Sequence, residues 1–208
     1  MTYRSPYRRL SLAPLILVGL IPLLLVTSCA KLNISNYYRR HRPILDSIEH
    51  TYRDAYLRKP FSIAFTDRSF DHVSLELVTD TLTYIYEYRF DETRLPDTLK
   101  KYGYDTTAIG WLIRNMRTRE CTWIDNLDYY TETNKHSLIY ISLWPRRFNS
   151  PFVNKKYYIL TYFQQPQYFD SEGRLLVGRR LRRIRKINGD VYHRINDRVC
   201  YTISDRFR

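Results

Sequence analysis

Glycine and cysteine are scarce in this sequence, whose 208 residues include six glycines and three cysteines. The glycines form no phosphate-cradling loop and no G-x-S-x-G nucleophile elbow. No H-E-x-x-H metalloprotease motif occurs. Cysteines without clustered histidines are also too few for a structural zinc site. The sequence therefore disfavours an enzyme and predicts no cofactor, no metal site and no catalytic residue.

Long apolar runs are limited to one, Leu10–Val26, which carries no charged residue. The nine residues before it contain Arg4, Arg8 and Arg9 and no acid. A transmembrane helix needs roughly 20 apolar residues. This run is shorter and is interrupted by prolines, so the pattern predicts an export signal. An uncleaved anchor helix is the alternative.

The residues that close this run are Val26-Thr27-Ser28-Cys29, and they resemble the lipobox of bacterial lipoproteins. The resemblance implies that residues 1–28 are a cleaved signal peptide and that Cys29 is acylated, with palmitate among its fatty acids. Two or more acyl chains hold a protein on a bilayer. We therefore expect a cell-envelope protein anchored by lipid to the inner or outer membrane, facing the periplasm or the surface.

After the signal we expect a tether over residues 29–42 and a single domain over residues 43–208. The domain is long enough to bury roughly 70% of its unfolded surface. Lysine and arginine number 34 against 21 aspartates and glutamates, which gives a net charge of +13. The 20 tyrosines favour half-buried strands, in which the ring packs and the hydroxyl stays in contact with water.

Periodicity in the domain predicts an α+β fold with an N-terminal helix and a two-helix insert packed on a largely antiparallel sheet. Apolar residues recur at helical spacing in one segment before the strands, and two short helical segments interrupt the strands. The predicted helices are 43–57, 96–103 and 106–117, and the predicted strands are 61–65, 73–77, 82–90, 121–124, 127–131, 136–144, 156–163, 179–187, 191–195 and 199–204.

The last third of the chain contains the segments SPFVNKKYYIL, YFDSEGRLL and IRKINGDVYHRI. They resemble the end of small uncharacterised exported bacterial proteins, in which a strand and a turn are followed by a closing K-x-N-G-x-x-Y hairpin. The resemblance implies no activity. Asn188-Gly189 is in addition a strong hairpin signal by its own turn chemistry.

A basic segment, Arg179–Lys186, precedes that turn. One interpretation is an edge strand kept soluble by charge. The other is a contact for an envelope protein or for anionic glycan or lipid. The export signal disfavours nucleic acid. The residues of this predicted contact are Arg174, Arg179, Arg180, Arg182, Arg183, Arg185 and Lys186.

Two further groups have competing interpretations. Cys121 and Cys200 either form a disulfide, as exported proteins allow, or are two buried thiols. Tyrosines alternate along Leu82–Phe90, and this row either packs in the core or lines a groove for a glycan or peptide. The acidic flank of the first helix, with Asp46, Glu49, His50 and Asp54, is interpreted as a solvated face more readily than as a metal site.

These observations predict a membrane-anchored lipoprotein that acts as a non-enzymatic binding domain of unknown ligand. Its partners are the lipid bilayer, through acylated Cys29, and an envelope protein or an anionic glycan or lipid. One alternative is an immunity- or inhibitor-type lipoprotein directed against an envelope toxin. The other is an envelope hydrolase.

Overall fold

The computed structural model describes the backbone of residues 13–131, 134–144, 157–176 and 191–204, and the side chains in these ranges from residue 34 onward except 129–131 and 134. The chain divides into two compact units, residues 1–40 and 41–208. The described backbone of the first unit, residues 13–40, is helical throughout. The predicted n-region of the signal, residues 1–9, lies entirely outside the described residues.

Helix α1 spans Ala13–Arg58, so the tether and the first helix of the sequence interpretation form one continuous helix. The interpretation placed the helix start at Pro43. Residues 30–42 contain no glycine or proline, so nothing in that segment ends a helix. Among its described residues, the chain has no helix that is both long and apolar enough to cross a membrane.

The second unit has the predicted α+β architecture. After α1 come three strands, two helices and a further series of strands. Their bounds are β1 Phe61–Phe65, β2 His72–Val78, β3 Thr83–Arg89, α2 Arg94–Lys101, α3 Thr106–Thr118, β4 Cys121–Thr131, β5 Asn134–Leu143, β6 Tyr157–Phe163, β7 Tyr168–Phe169, β8 Leu175–Leu176, β9 His193–Arg194 and β10 Val199–Ser204.

Eight of the described strands form one antiparallel sheet in the order β3-β2-β1-β4-β5-β6-β10-β9. The helices cover one side of this sheet. On α1, Leu45, Ile48 and Tyr52 are completely buried at helical spacing, as the apolar stripe predicted. The sheet residues that they help to cover are at most 1% exposed: Phe61, Ile63, Leu75, Leu77, Ile124, Ile139, Ile141 and Leu160.

Two capping residues set the boundary between the two helices of the insert. Gly103 takes a φ of +69°, a conformation that glycine adopts without strain, and this ends α2. Asp105 then caps α3 by accepting a hydrogen bond of 2.9 Å from the N–H of Ala108. The insert therefore folds back over β3, which positions Tyr102 at the edge of the sheet.

The other side of the sheet is also buried, which the sequence interpretation did not include. The described hairpin β7–β8, which turns at Gly173, contributes Leu175 and Phe169 to an apolar cluster on this side, which we call the second cluster. The buried members of the cluster are Ala64, Trp123, Leu138, Tyr140, Ile159, Phe163, Leu175, Tyr192 and Cys200. Strands buried on both sides no longer show a simple alternation of polar and apolar residues.

Strand β4 shows the consequence. The sequence interpretation divided it into 121–124 and 127–131 because Asp125 and Asn126 interrupt the apolar pattern. The structure has one strand, paired with β5 from Cys121↔Leu143 to Thr131↔Asn134. Asn126 lies on the helix side of β4, and its side-chain amide donates to the Asp128 carboxylate at 3.1 Å. The strand continues through Asn126 because its pairing with β5 is unbroken there.

Cys121 and Cys200 are free, buried thiols, so the disulfide interpretation is wrong and the buried-thiol interpretation is correct. Cys121 lies on β4 and Cys200 on β10, with β5 and β6 between them. Three strand spacings place the two backbones about 14 Å apart, well beyond the reach of a disulfide. Burial raises the pKa of both thiols to about 12, so neither is a thiolate at neutral pH.

Three hydroxyls on the side opposite the helices are buried without a hydrogen-bond partner in the described structure: Ser142, Thr161 and Thr202. Their cross-strand neighbours, among them Tyr140, Ile159 and Cys200, all belong to the second cluster. A buried hydroxyl without a partner loses its hydration and gains nothing in return. These positions therefore reduce the stability of the fold.

We expect Thr161→Val to raise the free energy of unfolding by about 1 kcal/mol, because the change removes an unpartnered hydroxyl and keeps the branched shape. Thr122→Val is the matched control, since Thr122 is equally buried and donates a hydrogen bond to the carbonyl of Ser142. That variant should lose about 1 kcal/mol. Urea unfolding midpoints measure both. A destabilised Thr161→Val would contradict the assignment and indicate a buried water.

Candidate functional site

The predicted row of tyrosines lies on β3, the outermost strand at one edge of the sheet. Tyr84, Tyr86 and Tyr88 point to the side covered by the helices, because they pair with the buried Leu77, Leu75 and Val73. Tyr88 is buried, and its hydroxyl donates to Thr98 on α2 at 2.7 Å. Tyr84 and Tyr86 are half-buried. The row therefore divides, with one ring in the core and two at the surface.

Tyr102, the C-cap residue of α2, completes an aromatic cluster with the two surface rings. Its ring centroid lies 5.3 Å from that of Tyr84 and 5.9 Å from that of Tyr86. The hydroxyls of Tyr86 and Tyr102 are 2.7 Å apart. The ammonium of the exposed Lys101 lies 5.3 Å from the centroid of Tyr102, within the range of a cation–π contact.

The hydrogen bond with Tyr102 raises the pKa of the Tyr86 hydroxyl to about 12, with desolvation as a smaller cause. The Tyr86 hydroxyl is therefore neutral at physiological pH. A neutral phenol donates and accepts hydrogen bonds but is a poor general base. The cluster is suited to contact a ligand, and its chemistry is that of recognition.

The backbone of β3 is also open to a partner. In an antiparallel pair, every second residue of a strand exchanges hydrogen bonds with the neighbouring strand. The Phe90 N–H donates to the carbonyl of Asp71, and the Thr79 N–H donates to the carbonyl of Leu82. Counting in steps of two from these pairs shows that the tyrosines of β3 are the residues that bond to β2. The N–H and carbonyl groups of Thr83, Ile85 and Glu87 point away from the sheet.

Apolar side chains are exposed along this edge. Ile85 is 66% exposed on the side of the sheet opposite the tyrosines, and Leu82, just before the strand, is 56% exposed. We call this combination the β3 edge surface and define it by Leu82, the outward backbone of β3 and the side chains of Tyr84, Ile85, Tyr86, Lys101 and Tyr102.

A cleft of about 310 Å³ lies between the end of α1 and the start of α3. Its polar side chains all have structural contacts. Arg58 pairs with Asp105 at 3.0 Å, Asp105 caps α3, and Lys59 donates to the carbonyl of Tyr102. Tyr104 donates to the carbonyls of Pro60 and Val78, and burial raises its pKa. These contacts hold the insert against the end of α1.

The acidic flank of α1 pairs with its own helix. Asp46 pairs with Arg42 at 3.2 Å, Glu49 with Arg53, and His50 with Asp54 at 3.4 Å. In the described part of the chain, no group of three or more histidine, cysteine or acidic side chains is arranged to hold a metal ion. Asp46, His50 and Asp54 lie at the surface as the solvated-face interpretation expects, whereas the Glu49 side chain is only 13% exposed and forms a largely buried pair with Arg53.

The predicted basic contact is only partly described. The backbone of Arg174 pairs with that of His193 in an isolated β-bridge, and its N–H donates to the Asp170 carboxylate at 2.7 Å. Its guanidinium pairs with Glu172. The other six residues of that contact, and the predicted Asn188-Gly189 turn, lie outside the described residues, as does the side chain of Cys29. These predictions stay predictions.

Comparison of the chain with protein-family models, curated proteins and solved structures gives no match. The candidate site is therefore defined by its own geometry. Sequence reasoning found the tyrosine row but missed Ile85, Lys101 and Tyr102. Tyr102 had one available signal, its place beside Gly103 at a helix end, where the chain must turn back toward β3.

We expect Tyr102→Phe to lower the pKa of Tyr86 from about 12 toward the ordinary 10.0, because the variant removes the bond that favours the protonated phenol. That bond stabilises the fold fully below pH 10, and its contribution is lost as the pH rises through about 12. NMR titration of labelled tyrosine measures the shift. Tyr168→Phe, at a residue 75% exposed, is the control. An unchanged pKa would refute the bond.

Proposed function

We propose that this chain is a membrane-anchored bacterial envelope lipoprotein whose folded domain is a non-enzymatic binding module for an envelope protein. Two independent features support the proposal. The lipobox-like end of residues 1–29 supports the anchor. The β3 edge surface supports the binding role, and it is the observation on which that role depends.

The composition of the β3 edge surface supports a protein ligand. Tyrosine gives a large contact area at low cost in side-chain entropy, and it is among the residues that contribute most to binding energy at interfaces. Here Tyr84, Tyr86 and Tyr102 hold one another in place before any partner arrives. The exposed Leu82 and Ile85 add apolar area beside an open backbone.

The positive charge of the chain favours a partner with an acidic surface. The chain has a net charge of +13, and the last turn of α2 next to the tyrosines carries Lys100 and Lys101. Complementary charge steers association and suppresses binding to the wrong partner. A partner with an acidic surface therefore fits this site.

The anchor predicts a specific labelling result. Labelled palmitate should enter the wild-type chain and not Cys29→Ala, because only the sulfur and the new amino terminus of Cys29 would be acylated. Fluorography of the purified proteins measures this. Cys121→Ala is the control and should be labelled as the wild type is, since that thiol is completely buried. Equal labelling of Cys29→Ala would rule out the lipoprotein assignment.

The binding role predicts contact-dependent crosslinking in the intact envelope. A benzophenone side chain at position 82, on the β3 edge surface, should give a discrete protein adduct on illumination. The same group at position 168 is the control, because Tyr168 is still more exposed but lies on the separate β7–β8 hairpin. Tyr102→Ala should reduce the adduct from position 82. The absence of an adduct at position 82, or an equal adduct at position 168, would refute the role.

A further inference from the structure

We propose that the partner of the β3 edge surface contributes an extended acidic segment that adds to the sheet as a strand beside β3. This inference rests on the proposed function, because it names how the same surface binds. It depends on the outward backbone groups of Thr83, Ile85 and Glu87 and on the charge of the side chains that flank them.

The outward backbone of β3 is a template for strand pairing along most of its length. Natural sheets protect their edges with charged side chains, above all lysine, or with proline, bulges or very short strands. The charges of β3, Glu87 and Arg89, lie in its last three residues. Strand β3 has the sequence TYIYEYR, and its register with β2 runs without a shift from His72↔Arg89 to Val78↔Thr83. The other described edge is protected, because β9 has two residues and the N–H of Arg194 bonds to Gly173.

The structure also limits the length of the template. The N–H of Arg89 points outward by the same alternation, but it donates to the Glu92 carboxylate at 3.1 Å. This capping contact closes the template at its C-terminal end. One N–H donor and one carbonyl acceptor stay available at each of Thr83, Ile85 and Glu87. These groups match an incoming segment of about five residues.

The side chains beside β3 determine the pattern of the segment. An added strand would place alternate residues on the two sides of the sheet. On the helix side they would meet Tyr84, Tyr86 and Lys101, where acidic residues are favoured. On the other side they would meet the exposed Ile85 and Glu87, where apolar residues are favoured and acids are repelled. The matching segment therefore alternates acidic and apolar residues.

A second copy of the chain is a poorer occupant of the same edge. Pairing of β3 with itself would bring together two chains that each carry a large positive net charge, with or without residues 1–28. Like charges oppose such association, whereas an acidic segment is attracted to a chain of positive net charge.

The probe for this inference is an acetylated, amidated peptide of alternating glutamate and valine, with a lysine–valine peptide as its charge-reversed control. We expect the glutamate–valine peptide to bind the wild-type protein at least about tenfold more tightly than the control, measured by fluorescence anisotropy at low salt. Equal affinity of the two peptides, or no binding of the acidic one at millimolar concentration, would overturn the proposal.

Ile85→Pro tests the backbone, because residue 85 is not bonded to β2 and an edge strand tolerates a proline at a position whose N–H points outward. The variant also shortens the apolar side chain, so N-methylated peptides provide the independent test of the backbone. We expect a loss of about tenfold or more in peptide affinity, whereas the matched control Ile85→Val should stay within about twofold. N-methylation of the peptide gives a test that leaves the protein unchanged. Methylating one alternate set of amides should abolish binding, and methylating the other set should not. Equal effects of the two sets would overturn strand addition.

The crosslinking readout separates this inference from the proposed function. If the adduct from position 82 persists in Ile85→Pro, the surface binds a partner but not by strand addition. If the wild type gives no adduct, the proposed function itself fails. A wild-type dimer in analytical ultracentrifugation that Ile85→Pro converts to monomer would show that a second copy occupies the edge, and this too would overturn the acidic-partner proposal.

Discussion

Tyr52 joins the first helix to the interior of the sheet, and the rest of the second unit is arranged around that contact. Its ring packs edge-on against Phe61 with the centroids 5.1 Å apart, and its hydroxyl donates to the carbonyl of Phe61 at 2.6 Å. Desolvation is the main cause that raises the Tyr52 pKa well above its ordinary value, so the phenol stays a donor. Because β1 lies inside the sheet, this bond fixes the helix at Tyr52 over strands on both sides of β1.

The helix layer in turn decides which part of the sheet becomes a surface. Helices α2 and α3 extend the cover toward β3, where Tyr88 is buried under Thr98. The cover ends at Tyr102, and Tyr84 and Tyr86 are left half-buried beneath it. The same insert that completes the core therefore creates the aromatic part of the β3 edge surface. This explains why the proposed binding site lies at the limit of the helix layer and at the edge of the sheet at once.

Burial on both sides constrains the centre of the sheet differently from its edge. Strands β4, β5, β6 and β10 carry apolar and small polar residues on the side opposite the helices, and the described β7–β8 hairpin packs there. Unpartnered hydroxyls such as Thr161 are the cost of that arrangement. Cys121 and Cys200 behave as small apolar residues, one on each side of the sheet, and their high pKa makes them chemically inert. In the described part of the chain no second layer covers Ile85 on β3, which is 66% exposed, and this difference is what makes its edge available.

The sequence by itself determined the local elements and the fold class, because helix caps, turn glycines and the alternation of apolar residues act over a few residues. Asp105, Gly103 and Gly173 each mark a boundary that the structure confirms. Tertiary structure decided everything that depends on what covers a residue. The alternation along Leu82–Phe90 is the same for Tyr88 and Tyr86, yet only the position of α2 buries the one and exposes the other. Asn126 ends no strand because β5 pairs along β4 on both sides of it, and the two cysteines cannot pair because β5 and β6 separate them. Burial, pairing and exposure are set by residues far away in the chain, which a local pattern does not contain.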